Sequence, residues 1–170
     1  MTIRSNPFNI HLLWLALAVG LAAGCMTTEE GKQSKEASVL RFHLEVNPDG
    51  THHNIVISVY GIPVNVQRDP FLDEGSIQEA SVVDTLGGFA LKVQFDHHGT
   101  LVLDNMTTAS KGQRIAILSQ FGQARWLAAP IIARRISDGV FIFTPDATKE
   151  EAERIVRGLN NVAKATKKRP

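Results

Sequence analysis

Phe89, Leu91, Val93 and Phe95 alternate with Ala90, Lys92, Gln94 and Asp96. No other feature of the chain restricts its fold so tightly. A period of two puts each set of side chains on one face of an extended strand and does not fit a helix. It predicts an antiparallel strand with one face on a core and one toward water. The same alternation appears earlier, where Leu40, Phe42, Leu44 and Val46 oppose Arg41, His43 and Glu45, and again from Asn54 to Tyr60 through Ile55, Ile57 and Val59. Asn47-Pro48-Asp49-Gly50 lies between those two runs and carries turn chemistry, so they are expected to pair as a hairpin. Beyond Gly61, residues Ile62, Val64 and Val66 continue the pattern, and Pro63 places them at a sheet edge because it has no amide proton to donate.

Asp69 to Gly75, reading DPFLDEG, is expected to be a loop, and Ile77 to Leu86 a strand running into a Gly87-Gly88 turn. Three further strands are predicted at Arg114–Leu118, Trp126–Ile136 and Val140–Thr144, the last two separated by Ser137-Asp138-Gly139. One helix is expected from about Gly99 to Ser110, with Val102, Met106 and Ala109 at helical spacing, ending before Gly112. The other has a marked start: Thr148 and Glu151 form a capping box. Ala152, Ile155, Val156, Leu159 and Ala163 then make one apolar stripe. Strands grouped with two separated helices imply an α+β fold, a mainly antiparallel sheet with two helices packed on one face.

The N-terminal segment reads as an address. Arg4 precedes an apolar stretch from Ile10 to Ala23, broken by His11 and Gly20, and Leu21-Ala22-Ala23-Gly24 leads into Cys25, the sole cysteine among 170 residues. This resembles the signal read by lipoprotein signal peptidase, which implies residues 1–24 as signal peptide, cleavage between Gly24 and Cys25, and lipid attachment at Cys25. Two or three acyl chains anchor firmly, since each buried CH2 contributes about 0.8 kcal/mol. The apolar run is short for a bilayer span of about 20 residues. Ala22 departs from the leucine most common at its position. Met26 replaces the aspartate that retains such proteins at the inner membrane of enterobacteria, so the expected place is the periplasmic side of the envelope, with the outer membrane favoured.

Removing residues 1–24 takes one of the 18 basic residues and none of the 17 acidic ones, leaving equal numbers. Without a clustered cationic excess, a nucleic-acid role loses its electrostatic basis. The one basic cluster, Lys164, Lys167, Lys168 and Arg169, marks residues 164–170 as a tail and reads as a solvated helix end. A lone cysteine cannot form an internal disulfide, so stability has to come from packing. Residues 25–38 include the polar run TTEEGKQSKEAS and are expected to be a flexible tether.

Within residues 39–163 a family resemblance emerges. Gly112-Gln113-Arg114-Ile115-Ala116-Ile117, Ala129-Pro130-Ile131-Ile132, Ile136-Ser137-Asp138-Gly139 and Thr148 to Ala152 occur in the order found in the head subdomain of the large periplasmic domain of SecD and SecDF. Phe71-Leu72-Asp73-Glu74-Gly75, Ile77-Gln78-Glu79-Ala80 and Phe95-Asp96 fit the entry into that subdomain. Ser119-Gln120-Phe121-Gly122 stands where the family usually has a Leu-Asp-Gly turn. The resemblance implies the fold and a role in handling polypeptide. It does not carry over the proton-driven translocase activity of those multispanning proteins.

Candidate chemistry is sparse. His52-His53 and His97-His98 are adjacent pairs, with His43 apart, and neighbours on a strand point to opposite faces, so exposed turn histidines are favoured over a metal site. Asp73, Glu74 and Asp96 are acids within reach of those histidines, and Asp69, Asp73 and Glu74, the candidate paired carboxylates, read instead as a solvated loop. Ser119 lacks a nucleophile-elbow surround, and no phosphate or dinucleotide loop is present. No cofactor, metal, nucleic acid or small-molecule substrate is expected, and the chain reads as non-enzymatic. Trp126 and Phe121 fit core packing or a sheet edge. The favoured function is binding of protein or extended polypeptide by strand addition, near Ile62, Val64, Val66 and Trp126, with a link to protein export. Alternatives are an envelope structural or assembly lipoprotein and a histidine-based metal-binding module.

Overall fold

Alternation makes strands, but the side chains that must share a dry core decide which strands meet. The structure, a computed structural model, describes residues 31, 33, 35–48 and 63–168, and the backbone of 56–59 and 62. Among the described residues the strands are β1 (Val39–Leu44), β2 (Val56–Val59), β3 (Ile62–Asn65), β4 (Ile77–Thr85), β5 (Gly88–Phe95), β6 (Ile115–Phe121), β7 (Gln123–Ala128) and β8 (Val140–Phe143). The helices are α1 (His97–Ala109) and α2 (Lys149–Lys167). Every strand pair is antiparallel, in sheets ordered β1-β6-β7 and β4-β5-β8 and a β2-β3 pair. The α+β class stands, with the strands shared among small sheets rather than gathered in one.

Phe42 joins the two larger sheets. Its ring meets Phe95 of β5 edge-on at 5.2 Å and Phe141 of β8 at 5.8 Å, an arrangement aromatic quadrupoles favour. Leu40, Ile115, Ile117 and Leu127 fill the core from the first sheet, and Leu91 and Val93 from the second. α2 adds Ala152, Ile155 and Leu159 from the predicted stripe. Each fully buried Leu or Ile contributes about 1.5–3 kcal/mol.

The expected hairpin between residues 39–46 and 54–60 does not form. β1 pairs with β6, from Val39 opposite Gln120 to Leu44 opposite Ile115, while β2 pairs with β3. On its other side β1 is met by the DPFLDEG segment, with Phe42 N–H donating to Leu72 C=O and Phe71 N–H to Phe42 C=O, both at 2.9 Å. β1 is therefore enclosed on both sides, and burying Leu40 and Phe42 completely outweighs the local turn signal. DPFLDEG is a loop that contributes to the core: Leu72 is buried, Asp73 accepts from Gly75 N–H at 2.9 Å, and Glu74 Oε2 is enclosed.

Other boundaries shift for local reasons. The strand expected over Trp126–Ile136 stops at Ala128, and only Ile131 makes a bridge, to Arg114. Ser119 to Phe121 extends β6, and Gly122, at φ +77°, makes the turn into β7. α1 starts at His97, because Asp96 caps it by accepting from Gly99 N–H at 2.7 Å. Gly99, Leu103 and Thr107 are its fully buried positions, while Val102 and Met106 of the expected stripe pack half-buried against the core and Ala109 is exposed. Thr148 caps α2 by accepting from Glu151 N–H at 3.2 Å. No described helix is long and apolar enough to cross a membrane.

Candidate functional site

β8 is the last strand of its sheet, and its outer side opens on a crevice of about 400 Å3. The register sets which backbone groups face that crevice. Phe95 N–H donates to Gly139 C=O at 2.9 Å, and the ladder continues through Val93 opposite Phe141 and Leu91 opposite Phe143. Val140 and Ile142 therefore direct their backbone groups away from β5. Asp138 Oδ1 takes the Val140 N–H at 3.0 Å. Among the described residues, no backbone group meets Ile142 on that side.

The opposite wall comes from residues 130–138. Ile132 N–H donates to Gln113 C=O at 2.8 Å, and Ile115 N–H to Pro130 C=O at 3.0 Å, which pins the start of the segment beside β6. Two contacts strap its remainder to α1. Arg135 makes a two-pronged ion pair with Asp104, and Ile136 N–H donates to Thr107 Oγ1 at 2.9 Å. The guanidinium holds the Asp104 carboxyl below the usual carboxylate range. Gly139 closes the end at φ +69°, where an added Cβ would lie 2.1 Å from Thr100 Oγ1, so glycine is needed at that turn.

Ile115, Ile132 and Phe141 are buried beneath the crevice, while Ile131 and Ile142 stand at its mouth, 55% and 54% exposed. Two large exposed aliphatics beside unpaired backbone groups suit an extended segment, whose own N–H and C=O groups complete the ladder while its side chains meet the isoleucines. Ser137, Asp138, Arg134 and Arg135 are the polar lining, with Asp138 and Arg135 already engaged as above.

The residues expected to mark a binding edge lie elsewhere. Val64 and Val66 are 2% and 1% exposed, in a small second core with Ala116 and Ala129, and Trp126 packs against it. Three of the four expected edge residues thus come together, with the two valines turned inward. At Asn65, β3 is bonded to the end of β1: Val46 N–H donates to Asn65 C=O at 2.9 Å. His43, expected on an outward face, is buried beside this cluster, its ring 5.3 Å from Trp126. Its Nδ1 donates to Gln67 C=O at 2.9 Å, which leaves Nε2 as an acceptor with no partner among the described residues. Burial pushes the imidazole below its ordinary range, against the Gln67 hydrogen bond, while Arg41 lowers it further and Asp69 raises it.

His97 and His98 are exposed and open α1. Gly24, Cys25, His52 and His53 lie outside the described residues. Ser119 is buried on β6. Neither Ile131 nor Ile142 stands out as a site in the sequence, because both fall within runs whose apolar content predicts strand. The glycine turn at Ser137-Asp138-Gly139 was the available signal.

The family model of the SecDF P1 head subdomain matches residues 52–163. Among solved structures, the membrane component SecDF, described as enhancing protein export, aligns with a TM-score of 0.59 at 20% identity, over 76% of this chain and 65% of that one. SecDF in a super-membrane-facing crystal form aligns with a TM-score of 0.58 at 19% identity, over 76% of this chain and 20% of that one. The chain thus spans less than two thirds of either structure, and at these identities the likeness is one of fold. No curated protein matches.

Proposed function

The chain belongs to the SecDF P1 head subdomain family, and from that premise we propose that it is a lipid-anchored envelope protein that binds extended polypeptide without enzymatic chemistry and serves protein export. It faces the periplasm from the membrane holding Cys25, the outer membrane being favoured by Met26. One observation carries the binding reading: the unmet backbone of Ile142 beside exposed Ile131. A strand edge of this kind recognises extended chain through its backbone and selects loosely through side-chain pockets, which suits a partner of varied sequence. Of the two candidate edges, β3 is already bonded at Asn65, which favours β8.

The test uses a permanently unfolded probe, a reduced and alkylated globular protein, titrated against the purified mature chain by fluorescence anisotropy. Saturable binding that weakens about tenfold or more in Ile142→Lys is the expected result. Absence of saturable binding overturns the reading. The mass of the mature N-terminus checks the anchor, and an unmodified Cys25 overturns that part.

A further inference from the structure

The larger of two compact units starts at Glu36, and α2 holds that residue. The Glu36 carboxylate accepts from Arg157 Nε at 3.0 Å and lies 3.8 Å from Arg154, and its carbonyl accepts from Asn161 Nδ2 at 3.0 Å. Ser38 seats against Gly158, where an added Cβ would meet Ser38 Oγ at 2.2 Å. Arg154, Arg157 and Asn161 stand at i, i+3 and i+7 of α2, and Lys164 and Lys168 continue the same stripe at i+10 and i+14. Glu36 therefore shares one face with Lys164 and Lys168, while Lys167 lies about 90° round the helix, at the flank of that face. At 1.5 Å per residue, Lys168 is about 10 Å along the axis from Asn161.

Charge is sorted sharply along this helix. Glu150, Glu151 and Glu153 lie in its first turns, and every charged residue from Arg154 to Arg169 is basic. Cations at the last turn complement the helix carbonyls, which accounts for Lys164 and Lys167. That effect does not require the basic stripe to coincide with the face that holds the tether. Among the described residues, Lys164, Lys167 and Lys168 have no ion-pair partner. From Cys25 to Glu36 the chain reaches at most about 40 Å when fully extended, so a lipid at Cys25 limits how far Glu36 can stand from the bilayer.

We propose that Lys164, Lys167 and Lys168 rest on anionic phospholipid headgroups of the membrane that carries the anchor, so that the domain is oriented there. The inference rests on the lipid-anchor reading. Basic residues near an anionic surface are attracted within a Debye length, and three on one helix end suffice to bias a tethered body.

The test reconstitutes the full mature protein into vesicles of phosphatidylcholine alone or with phosphatidylglycerol, and follows lysine acylation residue by residue by mass spectrometry. On anionic vesicles, Lys164, Lys167 and Lys168 should react more slowly by about threefold or more, with exposed Lys111 unchanged and the protection lost in high salt. Equal reactivity on both vesicles, or equal protection on both, overturns the inference while leaving the anchor standing. A mature chain whose mass shows no lipid overturns the anchor, and this inference with it.

Discussion

β4 and β8 are the two outer strands of one sheet, and they end in opposite states. At the β4 edge the Asn160 side chain of α2 acts as a short piece of neighbouring strand: its Oδ1 accepts from Ala80 N–H at 2.8 Å and its Nδ2 donates to Ala80 C=O at 2.9 Å. At the β8 edge, Ile142 has no such cover among the described residues, and its side chain is 54% exposed. β8 is apolar throughout, as Val140-Phe141-Ile142-Phe143, and β4 mixes apolar and polar residues, yet neither composition tells which edge is covered. Whether an edge is open is therefore a property of what packs beside it. A sheet with one edge closed by a helix amide offers a single direction for growth, which limits self-association and leaves one docking line.

The largest expected effect removes the distinction altogether. Phe42→Ala takes away the ring that meets β5 and β8, and should cost about 3–5 kcal/mol in chemical denaturation; a loss below about 1 kcal/mol would mean that the two sheets do not depend on it. Asn160→Ala should reopen the β4 edge alone. It strands two backbone groups and should destabilise by about 1–3 kcal/mol, while hydrogen exchange at Ala80 quickens and that at Val93 does not. If both amides quicken equally, the edge is not a separable unit.

A smaller effect separates the second core from the first. His43 is held below its ordinary value of 6.5 by burial, so the unfolded chain takes up a proton before the folded one does. Its contribution to stability is complete above pH 6.5 and shrinks as the pH falls from there toward the lower folded-state value, by at most about 1.4 kcal/mol per pH unit. The difference in stability between wild type and His43→Leu across that window isolates it, and a difference independent of pH would remove His43 as a titrating group. Among the described residues the main core has no buried imidazole, so the loss should appear first in the β2-β3 and Trp126 region. The smallest effect on stability belongs to Ile142→Lys, which should stay within about 0.5 kcal/mol of wild type while abolishing most polypeptide binding. A large loss of stability there would make Ile142 a packing residue and not part of an open edge.

Much of the framework was legible from residue order alone. Phe89 to Phe95 is β5, and Thr148 with Glu151 marks the start of α2, because period and capping act within a few residues. The candidate site was much less legible. Pro63 pointed to an edge at β3, yet the end of β1 lies against Asn65, a contact between residues 19 positions apart (Val46 to Asn65). His43 looked solvated because its neighbours Arg41 and Glu45 are charged, while Trp126, remote in sequence, covers it.

The sequence by itself determined where the clearest strand lies, where the second helix starts, which face of it is apolar, and the family to which the chain belongs. Those properties follow from side-chain periodicity and local hydrogen bonding. Only the tertiary structure decided that β1 pairs with β6, that Asn160 covers Ala80 at one sheet edge while Ile142 leaves the other open, and that Glu36 is held on the basic face of α2. Each of these depends on surfaces brought together from distant parts of the chain, where burial of Phe42 and its neighbours outweighs any local turn preference.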